Sequence, residues 1–241
     1  MVHAPGTKPS EGPHFYGRRR GHTLGPRRRE RLDDVLGRYG FVPTDLPDGV
    51  PSALFDSPRP IWLEIGFGAG EHLAAQAATH PDVGFIGCEP FRNGVATLTR
   101  LIEERALTNI RVFHEDVRLL LPALAPAVID RVFLMFPDPW PKKRHHRRRF
   151  VTPQNLDQLA HVMRDGAALR FASDHLSYIR WTLAMVRAHG AFEWTARCAA
   201  DWRDRPADGA PTRFEEKALA AGRPPVYLDF IRCQRPRLEG A

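Results

Sequence analysis

Four carboxylates fall where an α/β sheet would put them to work. Glu64 closes the apolar run 61–65, and Glu89 follows 83–88. Asp116 follows 110–114, and Asp138 follows 129–136. Between the first two lies Glu64-Ile-Gly66-Phe-Gly68-Ala-Gly70, a turn in which glycine lets the backbone bend tightly and come close to a ligand. The dinucleotide pattern G-x-G-x-x-G would need glycine at 71, where this chain has Glu71. Glu89 stands 19 residues beyond Gly70, at the distance where an acid accepts hydrogen bonds from ribose hydroxyls. Asp116 suits an adenine amino group. Together these residues predict a nucleoside-cofactor crevice. Any one of the acids alone could be a helix N-cap or a surface charge, and for Asp116 the cap is an equal alternative.

The segment 136–150, FPDPWPKKRHHRRRF, carries a second kind of chemistry. Proline fixes φ and removes a backbone donor, so Pro139 and Pro141 hold Asp138 and Trp140 in a set turn. Residues 142–149 then add six Lys/Arg and two histidines with no acid. An oriented acid and aromatic beside a cationic strip is what an unpaired base on a polyanion needs. The base stacks and hydrogen-bonds while phosphates meet lysine and arginine. A basic run by itself could equally be a solvated loop or an import signal.

Charge placement supports the polyanion. Of a net +7, residues 1–38 hold +5 and residues 142–149 hold +6, leaving −4 for everything else. Two focused basic segments on a mildly acidic body favour nucleic acid over general solvation. Cys88, Cys198 and Cys233 are scattered, as free thiols in a reducing cytoplasm would be, with no disulfide or metal spacing. No apolar run approaches a membrane span, and the Arg-rich start lacks a signal peptide's apolar core. No metal and no obligate protein partner is implied.

The elements that must position these residues follow one rhythm. Short apolar strands alternate with helices from 61 onward, through helices at 71–79, 93–106, 117–124, 153–163 and 175–189 and strands at 168–172, 192–198 and 226–233. The helix at 153 has Thr152 as N-cap and Pro153 in its first turn, and Gly190 closes the helix 175–189. Such alternation predicts a seven-stranded, mostly parallel sheet with helices on both faces, ligands binding at the strands' carboxyl ends. The 241 residues divide into a basic, mobile N-terminal arm (1–40, with a short helix near 32–36), a linker (41–60) and one domain (61–241).

This arrangement resembles the class I, Rossmann-like S-adenosylmethionine methyltransferases over 61–233. An acidic, glycine-lined crevice suits a cofactor whose amine and sulfonium are positive, whereas phosphate prefers a basic cradle. The segment 136–150 is similar to the signature of the bacterial tRNA (guanine-N7)-methyltransferases. Leu63-Glu-Ile-Gly66, Gly87-Cys-Glu89, Glu115-Asp116, Ser173-Asp174 and Thr212-Arg-Phe-Glu215 agree in order. The resemblance implies transfer of a methyl group to N7 of a guanine in the tRNA variable loop. It implies cofactor contacts at Glu64, Glu89, Asp116 and Asp138 beside the turn Gly66, Gly68 and Gly70, with Asp138 catalytic. It implies substrate contacts at Lys142, Asp174, Thr212, Arg213, Phe214 and Glu215, and RNA contacts at Arg144, His145, His146, Arg147, Arg148 and Arg149. Thr212-x-x-Glu215 also reads as a capping box for a helix over 214–221, and Asp174 as an N-cap. Two other functions fit parts of the pattern: methylation of an exocyclic amino group, and RNA binding without catalysis.

Overall fold

The structure is a computed structural model that describes residues 15–234. Seven strands form one sheet: β1 (Ile61–Ile65), β2 (Gly84–Cys88), β3 (Ile110–Phe113), β4 (Ile129–Met135), β5 (Met163–Ser173), β6 (Phe192–Trp194) and β7 (Val226–Arg232). Their order is β3-β2-β1-β4-β5-β7-β6. The first five pair in parallel, and β7 runs antiparallel to both β5 and β6. The expected mostly parallel seven-stranded sheet is what is found. Strand β5 starts at 163, directly after the preceding helix, rather than at 168, while β6 stops at 194, four residues short of the expected end.

The two faces of the sheet are built differently. Leu63, Ile65, Ile86, Val132, Leu134, Leu169, Phe171, Leu228 and Phe230 form one apolar core with α5 (Pro153–Val162) and α6 (Leu176–His189). On the other face, α2 (Glu71–Thr79) and α3 (Arg92–Glu104) cover β2 and β3 with a second apolar cluster. In α3 Val95, Leu98, Leu101 and Ile102 recur at helical spacing, and all are buried. Over β4, β5 and β7 that same face is ionic. Arg170 donates to Asp208 and Asp229, each at 2.7 Å, and Arg131 to Asp208 at 2.7 Å.

The N-terminal division differs from the expectation. Of the arm 1–40, residues 1–14 lie outside the described residues. Residues 26–39 form a full helix, α1 (Pro26–Tyr39), longer than the short helix expected near 32–36. Its Leu32 and Val35 are buried against the α3 cluster, and Arg31 pairs with Glu103 at 2.8 Å. Nor is 41–60 a bare linker: Phe41, Leu46 and Phe55 join the main core. The Gly/Pro/Arg composition masked three apolar anchors and one amphipathic stripe. Among the described residues no helix is long and apolar enough to cross a membrane.

Candidate active site

A cavity of about 400 Å³ opens at the carboxyl ends of β1, β2 and β4, where a parallel sheet leaves a crevice. Gly66 and Gly68 line it in left-handed conformation, at φ 70° and 59°. A side chain at Gly66 would project into space with no atom within 4 Å, so this wall is clear for a ligand. Gly70 has a different task. At φ 81° it caps α2, and a Cβ there would come within 2.7 Å of Leu98.

Glu89 forms part of the cavity wall and is 8% exposed. One carboxylate oxygen accepts from the Gly68 N–H and the other from the Phe91 N–H, both at 2.8 Å. Each oxygen therefore keeps a lone pair for a further donor, in a fixed orientation. Burial pushes its carboxyl up to about 6, against the pull of those two N–H groups, with the charges of Asp138 and Glu64 adding to the rise. Asp116 also lines the cavity, and it caps α4 (Val117–Leu120) by accepting from the Arg118 N–H at 3.0 Å. The Arg118 side chain engages both its oxygens from Nε at 3.1 Å. The cap and the cavity position coexist. Glu64 is 2% exposed and turns to His72, whose Nδ1 lies 2.7 Å from Oε2. It is not among the residues lining the cavity.

After β4 the chain makes a strained turn. Phe136 and Trp140 adopt φ of 50° and 44°, a region disfavoured for residues with a Cβ. The turn puts Asp138 at the cavity mouth and Trp140 on its wall. Asp138 is exposed on its outer side, yet its walled surroundings raise its carboxyl above the ordinary value, and Arg18 pulls it back. The Arg148 guanidinium lies 4.9 Å from the Trp140 ring centre and 4.7 Å from that of Tyr16.

The basic run forms a 3₁₀ turn, Lys143–Arg148, and its cations part company. Lys142, Lys143, Arg144 and Arg147 are exposed, whereas His145, His146 and Arg148 are half-buried. His145 is held below the usual imidazole value by desolvation, and then by Arg148 and Arg144. His146 packs on Trp181 with ring centres 5.7 Å apart. Arg149 is 2% exposed. It donates from Nε to the Pro139 carbonyl at 2.9 Å and to the Ser177 carbonyl and hydroxyl at 3.0 and 2.7 Å. Desolvation lowers the proton affinity of its guanidinium. It bolts the turn to α6 and offers no free face to a phosphate.

The expected substrate residues divide in the same way. Lys142 is exposed next to the turn. Asp174 caps nothing; it follows β5 and pairs with Arg223 at 2.8 Å. Thr212 caps α8 (Arg213–Ala220), accepting from the Glu215 N–H at 3.2 Å. The Glu215 side chain does not complete a capping box, because it accepts instead from Tyr227 at 2.7 Å and Arg205 at 2.8 Å. Arg213 pairs with Glu71 at 3.4 Å. Phe214, 45% exposed, lines the cavity against Gly68.

Comparison with known proteins fits this geometry. Residues 58–228 match the model of a family described as "Putative methyltransferase". A tRNA (guanine-N(7)-)-methyltransferase of Rhodospirillum rubrum is 52% identical over 236 residues, covering 95% of this chain and 91% of that protein. The chain belongs to that methyltransferase family. The protein of the same name in Ruegeria pomeroyi is 50% identical over 226 residues, covering 91% of this chain and 94% of the relative. The solved structure of the 16S rRNA methyltransferase KamB aligns with a TM-score of 0.54 at 15% identity, over 73% of this chain and 88% of that one. That likeness concerns the fold. Membership of a methyltransferase family implies, in general, use of S-adenosylmethionine.

Sequence reasoning missed part of the wall. Phe15, Tyr16, Gly17 and Arg18 line the cavity from the N-terminal side. Arg92 donates its N–H to the Arg19 carbonyl at 3.0 Å, and Asn93 accepts from the Gly21 N–H at 2.9 Å, which moors that stretch to α3. The one available signal was a pair of aromatics directly ahead of an arginine run.

Proposed function

We propose that this protein transfers a methyl group from S-adenosylmethionine to N7 of a guanine in tRNA, in the variable loop as the signature's resemblance implies. The observation that carries the reading is Asp138. It stands on a strained turn at the mouth of one cavity with Trp140 beside it, Glu89 within and exposed cations outside. The names of relatives about half identical over nine-tenths of their length support the choice of base and substrate.

The donor set fits the cofactor. Glu89, held by two N–H groups with lone pairs to spare, would take the ribose hydroxyls. Asp116 would take the adenine amino group, Gly66 and Gly68 would give room for the chain between, Asp138 would face its positive groups, and Glu64 would add its negative charge from behind the wall. When bound, S-adenosylmethionine supplies a sulfonium methyl that passes to the N7 lone pair as the S–C bond breaks, so no proton leaves N7. The protein's task is then to orient and desolvate. Asp138 accepts hydrogen bonds from guanine N1–H and its 2-amino group, which rejects adenine and draws electron density towards N7. Trp140 and Phe214 offer faces for the unstacked base, with Lys142 and Asp174 alongside. Lys143, Arg144 and Arg147 meet phosphates.

The test is methyl transfer to bulk unmodified tRNA followed by nucleoside analysis. The expected product is 7-methylguanosine. A methyl on an exocyclic amino group, or cofactor binding with no transfer to any tRNA, would overturn the reading.

A further inference from the structure

Two glutamates close or follow neighbouring strands, and their carboxylates are held in unlike ways. Glu89 is gripped by backbone N–H groups, a grip that no side-chain substitution supplies or removes. Glu64 depends on a side chain: Oε2 receives the His72 Nδ1 hydrogen bond at 2.7 Å, and both residues are 2% exposed. His72 lies in the first turn of α2 and packs on Phe133, ring centres 4.7 Å apart at 68°.

The second ring nitrogen explains why the bond to Glu64 matters. His72 Nε2 is buried without a hydrogen-bond partner among the described residues. An unpaired buried polar atom is costly, because it has lost its water and gained no partner. An apolar side chain would fill the same place against Phe133 without that cost, so packing alone gives no reason for an imidazole. The Glu64 contact does. Glu64 directly precedes Ile65 and Gly66, which line the cavity, so its carboxylate is held one residue behind the cavity wall. Its neighbours in the sheet, Gly87 of β2 and Phe133 of β4, have no hydrogen-bonding side chain, and the donor comes from α2.

We propose that His72 is a positioning residue for the methyl donor. Its Nδ1–H fixes the Glu64 carboxylate in one orientation at the end of β1, directly behind the cavity wall, where its negative charge attracts the positive amino group of the bound donor. This rests on the reading of Glu64 as a cofactor acid, and the experiment separates the two. Binding of S-adenosylhomocysteine to the full-length protein is measured by calorimetry for wild type, His72→Leu, His72→Asn, His72→Gln and Glu64→Gln, with tRNA binding and Tm alongside. An asparagine amide occupies the place of Nδ1, whereas a glutamine amide occupies that of Nε2.

Leucine and glutamine at 72 are expected to weaken Kd about tenfold or more, the worth of one hydrogen bond to a charged group, with asparagine within about threefold of wild type. Binding of tRNA should not change in any of them. A packing role alone predicts equal losses for Asn and Gln, and that result overturns the proposal even if the leucine variant does not fold. Wild-type affinity in His72→Leu with a loss in Glu64→Gln removes the role of His72 and leaves Glu64 a cofactor acid. Wild-type affinity in Glu64→Gln removes both.

Discussion

The turn 136–141 and the strip 142–149 are adjacent in sequence and opposite in construction. The turn is strained at Phe136 and Trp140 and faces a cavity. Most cations of the strip face solvent, except Arg149, which reaches back to hold the Pro139 carbonyl. The difference teaches that burial, not residue type, divides the labour here. An arginine with all its surface in water can release counterions from a phosphate backbone. One whose donors are spent on a carbonyl and a hydroxyl can only fix geometry.

The sharpest break of this comparison is at Asp138. Asp138→Ala should lower kcat by about 100-fold or more, the scale of losing a preorganised contact to the reacting base, with Kd for tRNA nearly unchanged. Single-turnover methylation with filter binding of the same variant measures both, and near-normal turnover would remove the turn from the chemistry. Next comes Arg149. Arg149→Ala strands the Pro139 and Ser177 carbonyls and should cost about 2–3 kcal/mol of stability, with activity falling alongside. Denaturant unfolding reads this. Unaltered stability joined to weaker tRNA binding would return Arg149 to the RNA strip.

The exposed cations should respond in the opposite sense. Replacing Lys143, Arg144 and Arg147 together by alanine should weaken tRNA binding about tenfold to a hundredfold near 0.1 M salt. It should also reduce the slope of log K against log salt by about 2–3, while Tm and kcat at saturating tRNA stay near wild type. An unchanged salt slope would show that these residues do not meet phosphate.

The cavity wall supplies the smallest effect and a control, since the exposed strip should not move it. Burial places the Glu89 carboxyl at about 6, so it is ionised at neutral pH and takes up its proton as pH falls through that value. The ionised form is the one that can accept from two hydroxyls. Donor affinity should therefore be flat above pH 7 and about tenfold weaker at pH 5. Glu89→Gln should bind weakly and lose the pH dependence, and an unaltered titration in that variant would assign it to another group.

Much of the fold could be read from the chain. The strands 61–65 and 110–113 and the helix 71–79 appear with their expected bounds or within a residue, because their apolar periodicity and caps are local properties. Of helix α1 only the part near 32–36 was legible, since three arginines and a proline at its start mask its extent until α3 is there to cover Leu32 and Val35. In the site, the order of acids and glycines announced a crevice. That Glu64 would be taken by His72, and Glu215 by Tyr227 and Arg205, could not be seen from spacing.

By itself the sequence determined most of the elements and the placing of chemistry at strand ends, and its two basic segments pointed to the kind of partner proposed. These depend on periodicity, turn chemistry and net charge, which need only near neighbours. Tertiary structure alone decided which acid faces the cavity, which is held from behind, and which arginine of an unbroken run is buried. Those outcomes turn on desolvation and on partners distant in sequence: Ser177 for Arg149, Gly68 for Glu89 and Phe133 for His72.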